Sequence, residues 1–425
     1  MIYLFFLGLK VGASRIRFYF SRFLWFLETA SEQHPFVAAD WSQLPEDLLR
    51  LISEKLNSEF YQLRFRSVCS SWRSSIPKIH YLHLNNLPSK FPIPSNYNDN
   101  ISFPFSKRTL FLITPPPNHQ TLNPWLIKIG PDSQNNRIHL WHPLSRDTKF
   151  PFRFPHVIDF NQLSLLNLGQ EFVIGDFPSQ SSPLSHTSIY MEKVVVFDSD
   201  TWHNGKNRYA LLTIDVSGKL AIFRCGDERW TIIPEMPSPF DDVCVFKGQP
   251  IAVDSVGRAF IVGPDFRLEM VAEGILGGDM KFLVESDGEL LLVDKYLSCV
   301  ENFMLEGDGE GMYEIGAERA VKLNVFRLDE KEKKWVVVRN LGDRVLFLGE
   351  DCAFSASCIG NGNCVIFMED VCRNFHHTEL RLSVFHLDQR RISPLSEFPC
   401  YSKLFWPPPD WVGLSVDNNK VLLLN

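Results

Sequence analysis

The chain has 425 residues, of which 45% are hydrophobic and 22% are charged. This balance is typical of folded globular domains and excludes a chain that is disordered throughout. The formal net charge of −7 predicts no broad positive surface, so nucleic acid is not an expected partner. Nine scattered cysteines predict free thiols in a reducing compartment rather than a disulfide framework.

Residues 1–37 are interpreted as an N-terminal extension. Residues 1–9 are almost wholly apolar, but basic residues from Lys10 onward interrupt the sequence that follows, and no acidic residue precedes Glu28. The apolar run is shorter than the roughly 18 residues that a spanning helix requires, so we expect no stable membrane span. We favour an extension upstream of a native start near Ala38, which predicts a protein of the nucleus and cytoplasm. An organellar transit peptide and a basic membrane-surface tail are the alternatives.

A helix is predicted to begin at Pro45. Proline suits a first helical position, because no N–H partner is needed there. Glu46 and Asp47 follow in the first turn, where carboxylates face the positive end of the helix dipole. The next apolar residues recur at helical spacing and give the helix one apolar face: Leu48, Leu49, Ile52 and Leu56.

A second apolar pattern follows within residues 40–80. Its apolar residues are Leu63, Phe65, Val68, Cys69 and Trp72. Two or three short helices in about 35 residues cannot bury this much apolar surface alone. We therefore expect a partner protein to cover Leu44, Ile52, Val68 and Trp72.

Residues 40–80 resemble an F-box. Residues 44–49 read Leu-Pro-Glu-Asp-Leu-Leu, and residues 66–73 read Arg-Ser-Val-Cys-Ser-Ser-Trp-Arg. F-boxes bind the SKP-type adaptor of cullin-RING ubiquitin ligases, so the resemblance implies this adaptor, and through it a cullin, as partners. The residues expected at the adaptor surface are Leu44, Pro45, Leu48, Ile52, Leu56, Leu63, Val68, Cys69, Trp72 and Arg73.

Residues 81–106 are predicted to be a proline-rich connector. Prolines at 88, 92, 94 and 104 precede a run of three prolines at 115–117. Proline lacks a backbone N–H, so no helix is expected through most of this stretch. We place the next domain at residues 107–425.

In residues 107–425 the pattern changes to short apolar strands separated by polar turns. Turn sequences rich in glycine occur at 216–219, 286–289 and 360–363. Many short strands at even spacing predict a barrel, a sandwich or a propeller. The predicted strands include residues 109–113, 194–197, 210–214, 220–223, 259–262, 290–293, 345–348 and 364–368.

A weak internal repeat favours the propeller. Phe223, Phe326 and Phe385 each lie in an apolar strand that leads through a charged turn to a second apolar segment. These phenylalanines are 103 and 59 residues apart, which we interpret as two blades and then one blade at about 50 residues each. The predicted fold class is a small α-helical F-box followed by an all-β domain, a β-propeller of six or seven blades.

The same region resembles the domain of plant F-box proteins that carry a KIB-type, kelch-like β-propeller. The segment at 405–412 reads Phe-Trp-Pro-Pro-Pro-Asp-Trp-Val and is similar to the closing motif of that family. Residues 141–145 resemble its early Asn-Pro-Leu-Ser element, with His142 in place of asparagine. Residues 341–349, 354–357 and 362–367 also carry the resemblance. It implies the fold and the adaptor partner, but it does not identify the target protein.

The end of the chain is predicted to close the propeller. Residues 421–424 read Val-Leu-Leu-Leu and are expected to complete a blade, because paired ends leave no open sheet edge. Residues 407–409 are all proline and cannot join a central ladder. We expect them to form a loop held by Trp406 and Trp411.

The sequence contains no recognisable catalytic or metal-binding constellation. The cysteines at 352, 358, 364 and 372 lack the close spacing of structural zinc sites and are interpreted as small buried side chains. The acidic, glycine-rich residues 305–314 lack the ligand alternation of a calcium loop. The histidines at 119, 139, 142 and 156 have no identifiable acid partner. We therefore expect no enzyme activity, no cofactor and no bound metal.

These patterns predict the substrate-recognition subunit of an SKP–cullin–F-box ubiquitin ligase. The F-box is expected to hold the adaptor while the propeller holds an unidentified target protein, so that target lysines reach a high effective concentration. The alternative is a ligase-independent interaction propeller with a vestigial F-box. Capture by the adaptor distinguishes the two.

Overall fold

The computed structural model of the protein describes most of the chain between Trp41 and Gly413. The backbone divides into two compact units, residues 1–80 and 81–425. The described residues are 41–53, 56, 59–66, 68–75, 90–92, 102–115, 123–131, 138–150, 163–174, 193–198, 209–215, 217–233, 238–306, 312–357, 359–369 and 380–413.

The described part of the first unit is helical. A 3-10 turn at Trp41–Gln43 precedes three helices: α1 (Glu46–Ser53), α2 (Glu59–Arg66) and α3 (Ser70–Ser75). The backbone N–H groups of Leu48 and Leu49 both donate to the Pro45 carbonyl at 3.1 Å. Helix α1 therefore begins where the proline and the two following carboxylates predict.

The second unit is built from β-strands. A short helix, α4 (Pro399–Ser402), lies between two 3-10 turns, Leu395–Glu397 and Asp410–Gly413. The strands are β1 (Lys90–Pro92), β2 (Ser102–Thr114), β3 (Trp125–Pro131), β4 (Ile138–Trp141), β5 (Ser164–Ile174), β6 (Val194–Asp198), β7 (Tyr209–Ile214), β8 (Leu220–Arg224), β9 (Thr231–Ile232), β10 (Phe240–Phe246), β11 (Gln249–Asp254), β12 (Ala259–Val262), β13 (Leu268–Ala272), β14 (Met280–Ser286), β15 (Glu289–Glu306), β16 (Met312–Asp329), β17 (Lys334–Val338), β18 (Arg344–Leu348), β19 (Ala353–Ser357), β20 (Cys364–Met368), β21 (Leu382–His386) and β22 (Arg391–Pro394).

The described strands form five blades. Strands β10–β13 and β14–β17 each make a four-stranded sheet, and a five-stranded sheet follows in the order β19-β18-β20-β21-β22. The remaining nine-stranded sheet runs β4-β3-β2-β5-β6-β7-β8-β9, with β1 on β2. Its two halves are joined only by the register pair Phe172↔Val194 between β5 and β6, so it consists of two blades.

The five blades close into a ring. Their inner strands contact one another in the order β5, β6, β10, β14, β19 and back to β5. Five apolar clusters lie between neighbouring blades, and one of them joins the first blade to the last. Residues that share these clusters across blades are Phe172 with Leu211, Leu212 with Val243, Val253 with Leu292, Val284 with Leu346, and Leu126 with Phe347.

The number of blades differs from the expected six or seven. The expected number comes from dividing the length of residues 107–425 by a standard blade length. Strands β15 and β16 are 18 residues long each, far longer than their neighbours, and they add residues without adding a blade. The described residues therefore close a ring with five blades.

The strand and repeat predictions are confirmed. Every predicted strand from 109–113 to 364–368 lies within an observed strand. Phe223, Phe326 and Phe385 occupy β8, β16 and β21, and each of these strands pairs with the outermost strand of its blade. One complete blade, β10–β13, separates the first two, so the spacing of two blades and then one is correct.

The boundary at residue 107 is corrected. Strand β2 begins at Ser102, inside the predicted connector, and pairs with β1 from Lys90↔Pro104 to Pro92↔Ser102. The prolines exclude a helix as predicted, but they do not exclude a strand at the edge of a sheet. The propeller sheet therefore starts within residues 81–106.

The segment around residues 407–409 is held by both flanking indoles. Trp411 is buried, and its Nε1 donates to the carbonyl of Asn123 at 3.0 Å. The ring of Trp406 lies 5.1 Å from that of Phe150. Both contacts reach the first blade, which agrees with the predicted loop. The predicted closing strand at 421–424 lies outside the described residues.

Candidate functional site

The F-box helices enclose a small apolar core. Leu49, Leu56, Phe65 and Trp72 are buried together, and Leu44, Ile52, Tyr61 and Cys69 pack around them. The aromatic rings of Phe65 and Trp72 lie 4.5 Å apart between centroids. The three helices therefore bury more of their apolar surface than the sequence predicts.

Two of the residues predicted at the adaptor surface lie inside this core. Trp72 is 1% exposed and Leu56 is 3% exposed, so both support the surface from within. Leu44, Ile52 and Cys69 are half-buried, whereas Pro45, Leu48, Val68 and Arg73 are exposed. Leu63 lies in α2, but its side chain is outside the described part of the chain.

Among the F-box side chains that the structure describes, three large apolar ones remain exposed to solvent. Leu48 is 41% exposed, Leu51 is 54% exposed and Val68 is 41% exposed. Leu48 and Leu51 lie three residues apart on α1 and thus share one face of the helix. Leu51 was not expected at this surface, although its spacing from Leu48 could have identified it. We call Pro45, Leu48 and Leu51 the α1 patch.

Two arginines link α2 to α3 by reciprocal hydrogen bonds. Arg66 Nη1 donates to the Arg73 carbonyl at 3.2 Å, and Arg73 Nε donates to the Arg66 carbonyl at 3.3 Å. These reciprocal bonds use carbonyl groups near the ends of both helices, where intrahelical donors are missing. Arg73 therefore fixes the position of α3, although its side chain is exposed.

In the propeller, buried charges join the first blade to the last. Arg146 forms an ion pair with Asp351, and the hydroxyl of Ser145 donates to Glu350 Oε2 at 3.3 Å. Within the first blade, Lys128 Nζ of β3 lies 2.7 Å from Glu171 Oε1 of β5, with both side chains buried. Burial raises the pKa of Glu171, and the nearby Lys128 opposes that rise. The Arg146–Asp351 ion pair helps to secure the ring, because loss of either partner would leave the other charge buried without this ion pair.

A second group of charges links three inner strands. Asp242 of β10 accepts a hydrogen bond from Lys193 Nζ, next to β6, at 3.1 Å. The same carboxylate accepts the backbone N–H of Leu283 in β14 at 2.7 Å. Beside it, Asp241 accepts the N–H of Lys281 at 2.9 Å. Burial raises the pKa of Asp241 to about 6, although that hydrogen bond opposes the rise.

Cys352, Cys364 and His142 are buried in the propeller. Burial raises the pKa of the Cys364 thiol to about 12 and also raises that of Cys352. Thiolate is the reactive form, so neither group suits metal binding or nucleophilic attack. His142 accepts the N–H of Leu144 at its Nδ1 and stacks on Phe405 at 5.1 Å. Burial lowers its pKa to about 3.

Several of the cysteines and histidines for which the sequence predicts no metal or catalytic site lie outside the described residues. Cys358, Cys372, His119 and His156 are among them. Among the residues that the structure does describe, no three cysteine, histidine, aspartate or glutamate side chains are grouped to hold a metal ion.

Family comparisons match both units. The F-box domain model matches residues 41–83, and the model of the KIB1-4 beta-propeller matches residues 102–386, more than half of the chain. The chain belongs to the KIB1-4 β-propeller family. Its helical unit is an F-box domain.

Relatives of this KIB1-4 family member include F-box proteins of Arabidopsis thaliana. The chain is 41% identical over 399 residues to F-box protein SKIP23, covering 88% of this chain and 95% of that protein. It is 35% identical over 396 residues to F-box protein At2g17036, with coverages of 88% and 95%. F-box/kelch-repeat protein At5g24040 is 26% identical over 397 residues, with coverages of 88% and 98%. The chain is thus a plant F-box protein with a C-terminal propeller.

The KIB1-4 family assignment supports a general role in substrate recognition for ubiquitin ligases. An F-box domain supports an SKP-type adaptor as the general class of partner. Proteins that combine an F-box with a propeller are typically non-catalytic adaptors. Within the described ranges, no helix is both long and apolar enough to cross a membrane.

Proposed function

We propose that this protein is the target-recognition subunit of an SKP–cullin–F-box ubiquitin ligase. In this proposal the F-box binds the SKP-type adaptor directly, and the adaptor connects it to the cullin. The α1 patch carries the proposal, since Leu51 is 54% exposed beside a well-packed core. Exposed apolar side chains on a packed domain are typical of an interface.

The propeller is proposed to hold the target protein, and the chain itself catalyses no step. A ubiquitin-charged enzyme elsewhere in the ligase would then meet target lysines at high effective concentration. Five rigidly joined blades suit this positioning role, because their interfaces are apolar and their charges are paired across blades. We further propose that the protein acts in the nucleus and cytoplasm.

Capture by an immobilised SKP-type adaptor tests the proposal. The full chain with Leu48→Asp and Leu51→Asp should lose capture by at least about tenfold, because each substitution would bury an unpaired carboxylate at the interface. The matched control is Ile138→Asp with Leu276→Asp, which alters two exposed apolar residues of the propeller. Undiminished capture of the folded α1 variant would instead support a different adaptor surface, and absence of capture by the unaltered chain would support a vestigial F-box.

A further inference from the structure

Strands β15 and β16 extend far beyond the blade that contains them. Strand β14 pairs with β15 only over Glu289 to Lys295, and β17 pairs with β16 only over Val325 to Asp329. From Tyr296↔Lys322 to Glu306↔Met312, β15 and β16 pair with each other. No other described strand pairs with this part. We call residues 296–306 and 312–322 the ribbon.

Beyond its base, where the Leu297 N–H donates to Asp279, the ribbon has two outer edges that pair with no other described strand. Natural sheet edges are commonly protected by proline, lysine or bulges. Residues 289–329 contain no proline, and the bulges lie near the base, at Tyr296/Leu297 and Cys299/Glu301. From Glu301↔Ala317 to the last pair the register is continuous. This distal part is therefore a template for an added strand.

The charge of the distal ribbon indicates which strand it would accept. Residues 301–306 and 312–318, the described strand residues of this part, contain four acidic residues and no lysine or arginine. They are Glu301, Glu306, Glu314 and Glu318. A second copy of this chain would bring like charges together, whereas a cationic segment would be attracted.

We propose that the ribbon binds an extended segment rich in lysine or arginine on the target protein, by strand addition. Main-chain hydrogen bonds would supply affinity, and the carboxylates would select the cationic sequence. This inference rests on the proposed function, because it assigns the chemistry of the target to a particular element of the propeller. It does not involve the F-box.

Direct binding of a designed peptide tests the ribbon. The probe is a fluorescent peptide of alternating lysine and valine, with about eight residues to match an ordinary strand, and the readout is anisotropy with the full chain. A glutamate–valine peptide is the charge control. A lysine–valine peptide with N-methyl groups on alternate residues is the backbone control, because it cannot donate backbone hydrogen bonds along one of its edges.

The chain should bind the lysine–valine peptide, and both control peptides should bind at least about tenfold more weakly. Glu301→Gln with Glu306→Gln and Glu314→Gln should weaken binding by about tenfold. The matched variant Glu228→Gln with Glu273→Gln and Glu332→Gln removes the same charge from exposed sites elsewhere in the propeller and should bind like the unaltered chain.

Three outcomes would overturn the inference. The first is that the N-methylated peptide binds as tightly as the unmethylated lysine–valine peptide. The second is that both triple variants lose the same amount of peptide affinity. The third is that the chain forms concentration-dependent dimers that persist when the peptide is added. Adaptor capture is measured in parallel on every variant. Normal capture with failed peptide binding rejects the ribbon alone, whereas failed capture by the unaltered chain rejects the proposed ligase role.

Discussion

Phe65 of α2 and Trp72 of α3 pack ring to ring at the centre of the F-box, with centroids 4.5 Å apart and planes inclined by 38°. Helix α3 contacts both α1 and α2, so the indole holds the three helices together. The α1 patch lies on the outer side of this arrangement. Trp72 thus supports the packing of these helices from within the core.

Replacing Trp72 by alanine should unfold the F-box. The substitution leaves a large cavity in a core of four buried residues and should cost about 3–5 kcal/mol. Hydrogen exchange measured by mass spectrometry on the full chain should show lost protection across residues 44–75. Leu51→Asp is the control, since it should reduce adaptor capture while protection is retained. If Trp72→Ala keeps full protection and still loses capture, the indole contacts the adaptor directly.

Much of the fold follows from the sequence, because local patterns specify local elements. Phe223, Phe326 and Phe385 identify equivalent strands since each recurs beside a charged turn. The number of blades could not be predicted from such local patterns, because the length of the ribbon depends on pairing between residues far apart in sequence. At the F-box, periodicity identifies the apolar residues, but it does not separate core from surface. Periodicity places Trp72 at the surface and does not single out Leu51, since the burial of both residues depends on how three short helices pack.

Stability should depend on the ionisation of Asp241. Its pKa is raised to about 6 by burial, so the folded state binds this proton more tightly than the unfolded state, and stability falls as pH rises from about 4 to 6. Asp241→Asn keeps an acceptor for the N–H of Lys281 and removes the charge. We expect it to raise the free energy of unfolding by about 1 kcal/mol at pH 7.5, after allowance for solvent screening.

Urea unfolding of the full chain at pH 7.5 and pH 4 checks this expectation. The gain should be present at pH 7.5 and largely absent at pH 4, where the carboxyl of the unaltered protein is already protonated in the folded state. Asp265→Asn is the control, because that residue lies in an exposed ion pair with Arg267. A gain of equal size at both pH values would show that the effect is not electrostatic.

The N-terminal extension should be dispensable for adaptor binding. A chain that begins at Ala38 should be captured as well as the full chain, because the F-box core lies wholly within residues 44–72. Fluorescent fusions of both chains should show the same distribution in the nucleus and cytoplasm. Import of a reporter fused to residues 1–30 into mitochondria or plastids would contradict this prediction.

The tail at 421–424 should contribute to the closure of the propeller. A chain ending at Gly413 should lose several kcal/mol of stability if those residues pair with a blade, since an apolar face and backbone donors would become exposed. A chain ending at Leu404 should lose more, because it also lacks Phe405 and Trp411, which contact the first blade. Urea unfolding of the three chains measures both effects. An unchanged midpoint for the Gly413 chain would show that closure is complete without the tail.

The ion pair between Arg146 and Asp351 should be strongly coupled, because it joins the first and last blades with little exposure to solvent. Asp351 raises the pKa of Arg146 against the effect of burial, so the guanidinium stays charged. Arg146→Met leaves Asp351 without this partner and should cost about 3–5 kcal/mol, whereas adding Asp351→Asn should recover part of that loss. A double-mutant cycle by urea unfolding measures the coupling.

The same cycle on Arg267 and Asp265, which are 89% and 57% exposed, should give a coupling energy of less than about 1 kcal/mol. Equal coupling at the two sites would mean that the Arg146 pair does not secure the ring.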